Sequence, residues 1–242
     1  QMCIRDRVYY DSNFVGDKDT LQTNILNSLS SYASGTELNK FGGRFKYSKI
    51  LSVIDNVDTA VTSNISLVKM RRNINSKINQ FAQYELCFLN QMYAPDPQYN
   101  IHSTGFNVSN VVGTCYFSDT KIDDDHGTLF MFQILSDDSI KVLSNNFGRI
   151  DYKKGEIVLD TVNITGTIVE DNVVEVEAVP LSNDVLARNE LYLQFDIAKS
   201  NFRMREDTIS TGADTSGSRY NPQSSYFADK KVRGTIITSN VG

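Results

Sequence analysis

The sequence predicts an α+β chain: a small two-helix α/β layer, then a mainly antiparallel β-sandwich-like domain, then an irregular C-terminal tail. Three observations carry this. Apolar residues recur at steps of three and four twice before residue 56, strict alternation takes over near residue 60, and from about residue 80 eight short apolar or alternating runs are separated by turn residues. The implied division is 8–75, 76–209 and 210–242, after a heptapeptide (1–7) that is set apart.

That heptapeptide, Gln1-Met2-Cys3-Ile4-Arg5-Asp6-Arg7, opens on Gln and breaks its apolar run with three charges. It reads as a non-native stub joined to the middle of a larger reading frame, is left out of the fold, and makes the chain a fragment. Val8-Tyr9-Tyr10 reads as a first strand. Leu21, Ile25, Leu29 and Tyr32 then predict a helix over 19–34, with Asp17 or Asp19 as its cap and Gly35 as its stop. A second helix, over 46–55, carries Tyr47, Ile50, Leu51 and Ile54 at the i, i+3, i+4, i+7 spacing of one buried stripe. It is short enough to depend on packing. Val61, Ser63, Ile65 and Leu67 alternate with Thr62, Asn64, Ser66 and Val68, which predicts a strand over 60–72. Strand, helix, helix, strand makes a layer with both helices on one face of a sheet.

The downstream runs lie at 84–93, 111–117, 128–135, 139–143, 149–152, 156–160, 173–179 and 190–197, and eight of them predict a sandwich. Lys153-Lys154-Gly155 is the strongest hairpin signal, because a three-residue loop with Gly in the left-handed region matches the twist of the flanking strands. Residues 210–242 are rich in Ser, Gly, Thr, Asp and Asn and read as a flexible tail. Tyr220, Tyr226, Phe227, Ile236 and Ile237 also fit an arm that orders on a neighbouring subunit.

The 242 residues are 40% apolar with a formal net charge of −5, which gives no basic field for a nucleic-acid backbone. No run of about eighteen apolar residues reads as a membrane span, and the N-terminus does not read as a secretory signal. Neither nucleic acid nor membrane is expected as a partner, and synthesis in the cytoplasm is. Cys3, Cys87 and Cys115 are far apart without a CxxC pair, which fits a reduced compartment. Cys87 and Cys115 read as small buried hydrophobes.

Candidate chemistry is sparse. Asp123-Asp124-Asp125-His126 is the densest group of potential ligands, but consecutive loop residues point in different directions, so it reads as a solvated hairpin loop. His102 reads as a loop histidine. There is no G-x-S-x-G, and Glu156, Asp160, Glu170, Asp171, Glu175 and Glu177 show no paired spacing. Glu175 and Glu177 alternate with Val174 and Val176 as one polar face of a strand. Gly42-Gly43 lacks the Lys-Ser/Thr of a phosphate loop and reads as a tight turn. The expectation is a chain without catalytic residues, cofactor or metal.

Phe41-Gly42-Gly43-Arg44-Phe45-Lys46-Tyr47-Ser48-Lys49-Ile50, then Asp58 to Leu67 and Met70-Arg71-Arg72, form a Gly-Gly turn, a short amphipathic helix, a loop and an alternating strand. In that order they resemble the C-terminal part of the baseplate wedge protein, the gene 6 product, of T-even-like contractile-tailed phages. The resemblance is drawn over 17–209, is strongest in 41–72, and recurs in Asn146 to Ile157 and in Ala187-Arg188-Asn189. It implies a non-enzymatic virion protein of the tail baseplate, assembled in the host cytoplasm. Such a protein dimerises, binds other wedge proteins, joins neighbouring wedges into the ring around the tail hub and takes part in the rearrangement that triggers sheath contraction. The large N-terminal region of that family has no counterpart here. Dimerisation places the expected interface in 42–72, with Tyr47, Ile50, Leu51, Ile54, Arg71 and Arg72 as its residues. The alternative is a glycan-binding β module of a phage or bacterial surface protein, against which the absence of Trp weighs.

Overall fold

The computed structural model describes residues 1–36, 38, 40–95, 98–187 and 193–207. The expectations for 210–242, for Arg188-Asn189 and for the start of the run 190–197 fall outside these residues. The chain is β-rich, with two helices and several sheets, and it divides into two compact units. One comprises Gln1–Arg5, Ala33–Tyr47 and Leu67–Ser200; the other comprises Asp6–Tyr32, Ser48–Ser66 and the chain from Asn201. Two strands, β1 (Met2–Tyr10) and β3 (Val61–Asn75), run from one unit into the other.

The second unit holds most of α1 (Lys18–Ser34) and α2 (Tyr47–Asp55), and its strands follow the order β13-β1-β3, with β13 at Asn201–Glu206. α1 begins where the sequence places it because the Asp17 carboxylate accepts the Thr20 N–H at 3.0 Å and the Thr20 hydroxyl at 2.6 Å. Those bonds hold Asp17 below the usual carboxylate range. Leu21, Ile25 and Leu29 of α1 and Ile50 and Ile54 of α2 are buried, as the spacing requires.

β1 corrects the reading that sets 1–7 outside the fold. Met2, Cys3, Ile4 and Asp6 are buried, and Met2 pairs in parallel with Phe195, exchanging bonds of 2.8 Å with Gln194 and Asp196. The three charges that interrupt the run go to different places. Arg5 stays exposed and pairs with Glu177 at 3.5 Å, while the Asp6 carboxylate is buried and accepts the Ser66 hydroxyl at 2.7 Å.

The first unit is built on a six-stranded sheet of order β4-β10-β9-β8-β7, with β6 also paired to β10. These strands are β4 (Gln80–Cys87), β6 (Phe106–Val108), β7 (Tyr116–Lys121), β8 (His126–Ile134), β9 (Ile140–Asp151) and β10 (Glu156–Thr167). All their pairings are antiparallel. The unit also holds the order β1-β3-β11-β5 and an antiparallel pair of β2 (Arg44–Phe45) with β12 (Val185–Leu186). β11 spans Val173–Ala178 and β5 spans His102–Ser103, so His102 lies in a strand rather than a loop.

Phe106, Phe117 and Phe147 meet with centroids 5.8–6.1 Å apart at the core of this unit. Beside them lies a buried polar knot. The Asp119 carboxylate accepts the N–H groups of Asn100 (2.8 Å) and Ile101 (2.7 Å) and the Tyr152 hydroxyl (2.6 Å). Asn100 in turn accepts the Val179 N–H at 2.6 Å and donates to the carbonyls of Tyr93 and Val179. Burial, reinforced by the neighbouring Asp119, pushes the Tyr152 phenol up.

The runs 139–143 and 149–152 form one strand, β9, because the polar Ser144-Asn145-Asn146 between them stays extended at the surface, with the register against β8 shifting between Leu129 and Phe132. The hairpin falls where Lys153-Lys154-Gly155 predicts it. Asp151 pairs with Glu156, so its loop is the four residues 152–155. Gly155 sits at φ +73°, and a Cβ there would overlap the Asn90 carbonyl oxygen, so two constraints require glycine. Among the described residues no helix is long and apolar enough to cross a membrane.

Candidate interaction surface

The six residues expected at an interface lie on two elements, Tyr47, Ile50, Leu51 and Ile54 on α2 and Arg71 and Arg72 on β3. Ile50 and Ile54 are fully buried, while Tyr47 and Leu51 are half-buried. The first turn of α2 contains no acidic residue. The Tyr47 N–H instead donates to Asp184 Oδ1 at 3.0 Å, and Arg44 pairs with Asp184 Oδ2 at 2.9 Å. The Tyr47 N–H and the Arg44 guanidinium hold the Asp184 carboxyl below its usual range.

Arg71 is committed within the protein, only 5% exposed. Its guanidinium lies 3.1 Å from Glu175 and 2.6 Å from Asp196 and also donates to the Gln1 side chain. Antiparallel pairing sets β11 against β3, so Glu175 and Glu177 face Lys69 and Arg71 diagonally, and Lys69 meets Glu177 at 2.8 Å. Burial alone would raise the Glu177 carboxyl; Lys69 and Arg5 hold it below the usual range. Cys3, buried beside Glu177, is pushed up to about 11 and is no nucleophile at neutral pH. Arg72, on the opposite face of β3, is half-buried.

The aspartate-rich turn distributes its charges. Asp123 Oδ1 accepts the N–H groups of Asp125 (2.8 Å) and His126 (2.7 Å), which holds its carboxyl low, and it approaches His126 Nδ1 at 3.1 Å. Asp124 pairs with Lys121 at 2.7 Å and Asp125 with Lys153 at 3.5 Å. Each carboxylate has a different partner, and among the described residues no three His, Cys, Asp or Glu side chains converge as metal ligands.

Two surface features lie beyond the residues singled out from sequence. One is a concavity of about 640 Å³ lined by Gln83, Tyr84, Glu85, Arg149, Lys154 and Val158 among others, a mixed polar and apolar wall. The other is an apolar stripe on the ribbon of β8 and β9. Phe130 lies 5.1 Å from Tyr99 and 5.4 Å from Phe132, which stacks on Tyr116 at 5.8 Å. Phe132 is opposite Val142 and Ile134 opposite Ile140. Ile134, Ile140 and Val142 are 50%, 51% and 46% exposed. The sequence holds a signal for this stripe: large aliphatics flank the turn Ser136-Asp137-Asp138-Ser139, where a solvated hairpin end would be polar.

Residues 3–73 match the family described as baseplate structural protein gp6, C-terminal domain III. The match begins inside the heptapeptide set aside as a stub and takes in β1, α1, β2, α2 and nearly all of β3. It bears out the resemblance that is strongest in 41–72. The similarities read in 146–157 and 187–189 lie outside the match. No curated protein matches the sequence.

Proposed function

We propose that this chain is a non-enzymatic baseplate wedge component that dimerises and joins neighbouring wedges into the ring around the tail hub of a contractile-tailed phage. One observation carries the reading: the match over residues 3–73 spans a whole strand–helix–helix–strand segment rather than an isolated motif. Its partners are a second copy and other wedge proteins, met during assembly in the host cytoplasm. With Ile50, Ile54 and Arg71 held inside the protein, the contact within 42–72 falls to the half-buried Tyr47, Leu51 and Arg72. A two-fold interface is self-complementary, so one substitution acts twice. Leu51→Glu therefore weakens self-association in sedimentation velocity, and a monomer at tens of micromolar, about where a standard-sized interface still holds, counts against the reading.

A glycan-binding module stands second. Its support is the concavity holding Tyr84 beside Gln83, the pairing of a stacking ring with a carboxamide that sugar recognition uses. Oligosaccharide titration read by chemical-shift changes, lost on Tyr84→Ala, would favour it.

A further inference from the structure

The outer edge of β9 is open as well as apolar. β10 pairs with β9 only from Gly148 to Asp151, so Ile140 to Asn146 have no ladder partner beyond β8 among the described residues. A two-stranded ribbon is marginal in water by itself, and an open edge beside an apolar stripe is the form to which an extended strand adds. Between Ile134 and Gly148 the charges are Asp137 and Asp138 at the turn and Lys141.

The sequence beyond Asp207 carries complementary chemistry. Residues 208–242 carry a net charge of +2, against −7 for residues 1–207. Their cations gather at Lys230, Lys231 and Arg233, just ahead of Ile236-Ile237. The order of chemistry matches that of β9, in which the acidic turn precedes the apolar residues Ile140 and Val142. The 22 residues from 208 to 229 can span up to about 75 Å, enough to reach a neighbouring molecule.

We propose that residues 230–237 of a second copy dock along β9, with Lys230 and Lys231 at Asp137 and Asp138 and an isoleucine of the Ile236-Ile237 pair on Ile140 and Val142. This rests on the self-association proposed above and assigns it a second contact.

The test is a double-mutant cycle on the full chain, read as the dimer dissociation constant by sedimentation at low salt. Asp137→Asn with Asp138→Asn keeps residues suited to the turn, and Lys230→Gln with Lys231→Gln changes only charge. Each pair of substitutions is expected to weaken association about tenfold, and all four together little more than either pair alone. Val142→Glu is expected to weaken it without any change of charge at the turn. Silent or fully additive charge variants overturn the proposal. If those variants are silent while Leu51→Glu dissociates the dimer, the contact lies in 42–72, which leaves the ring reading standing. A chain that is monomeric throughout overturns both.

Discussion

Asp6→Asn will stabilise the protein at neutral pH and destabilise it slightly below pH 4. Asp6 is 3% exposed, and Ser66 donates to one of its carboxylate oxygens. Burial raises the carboxyl from 3.8 to about 6. The Ser66 hydroxyl and the N–H groups of Arg7 and Ile65 pull it down, and the charge of Asp55 pushes it further up. A carboxyl whose value is higher when folded binds more protons in the folded state between about pH 4 and 6, so stability falls as pH rises through that window. The difference between 3.8 and about 6 corresponds to about 3 kcal/mol of stability lost by pH 7. Asn carries no charge to desolvate, but its amide needs a buried acceptor, so a gain of about 1–2 kcal/mol at pH 7 is expected. Urea unfolding followed by far-ultraviolet circular dichroism at pH 4, 5, 6 and 7 measures this directly. The Asn variant, less stable by about 1–2 kcal/mol at pH 4 because of its amide, should overtake the native protein as pH rises, and the difference should level off above pH 6. A difference that stays constant with pH would mean that Asp6 ionises as in water, and the argument from burial fails.

Three further outcomes follow from the same physics. Arg71→Ala leaves Glu175 and Asp196 facing each other without the shared guanidinium, and unfolding free energy should drop by about 3 kcal/mol or more. Tyr152→Phe removes one of the three donors to the buried Asp119 and should cost about 1–3 kcal/mol, measured by urea unfolding at neutral pH. Gly155→Ala meets both a positive φ and the Asn90 carbonyl, so a loss of at least about 1–2 kcal/mol is expected, with hydrogen exchange rising first in the hairpin of β9 and β10.

Local pattern made much of this fold legible. The spacing of Leu21, Ile25 and Leu29 and of Ile50 and Ile54 locates both helices to within a residue at each end, and Asp17 caps the first as expected. Alternation in 61–68 reveals β3 but not its extension to Asn75, where Met70, Arg71 and Ile74 are all buried and alternation is lost. The first half of β1 was hidden because Arg5, Asp6 and Arg7 look like a solvated break. Only the fold shows that Asp6 is buried and that Arg5 answers Glu177 from 172 positions away. Arg71 shows the same limit: Glu175 and Asp196, which pair with it, lie more than a hundred residues along, and no local signal announces them. The β8 and β9 stripe was legible in principle, since Ile134, Leu135, Ile140 and Val142 bracket a polar turn, yet its exposure depends on β10 leaving β9 at Gly148.

The most direct test of the central claim is electron cryomicroscopy of the tail baseplate of a phage that carries this sequence. The account predicts density for the strand–helix–helix–strand segment of residues 3–73 at the contact between adjacent wedges, in two-fold related pairs around the tail hub. Mature virions without this protein, or density for it only on fibres or other host-facing parts away from the wedge ring, would contradict the account.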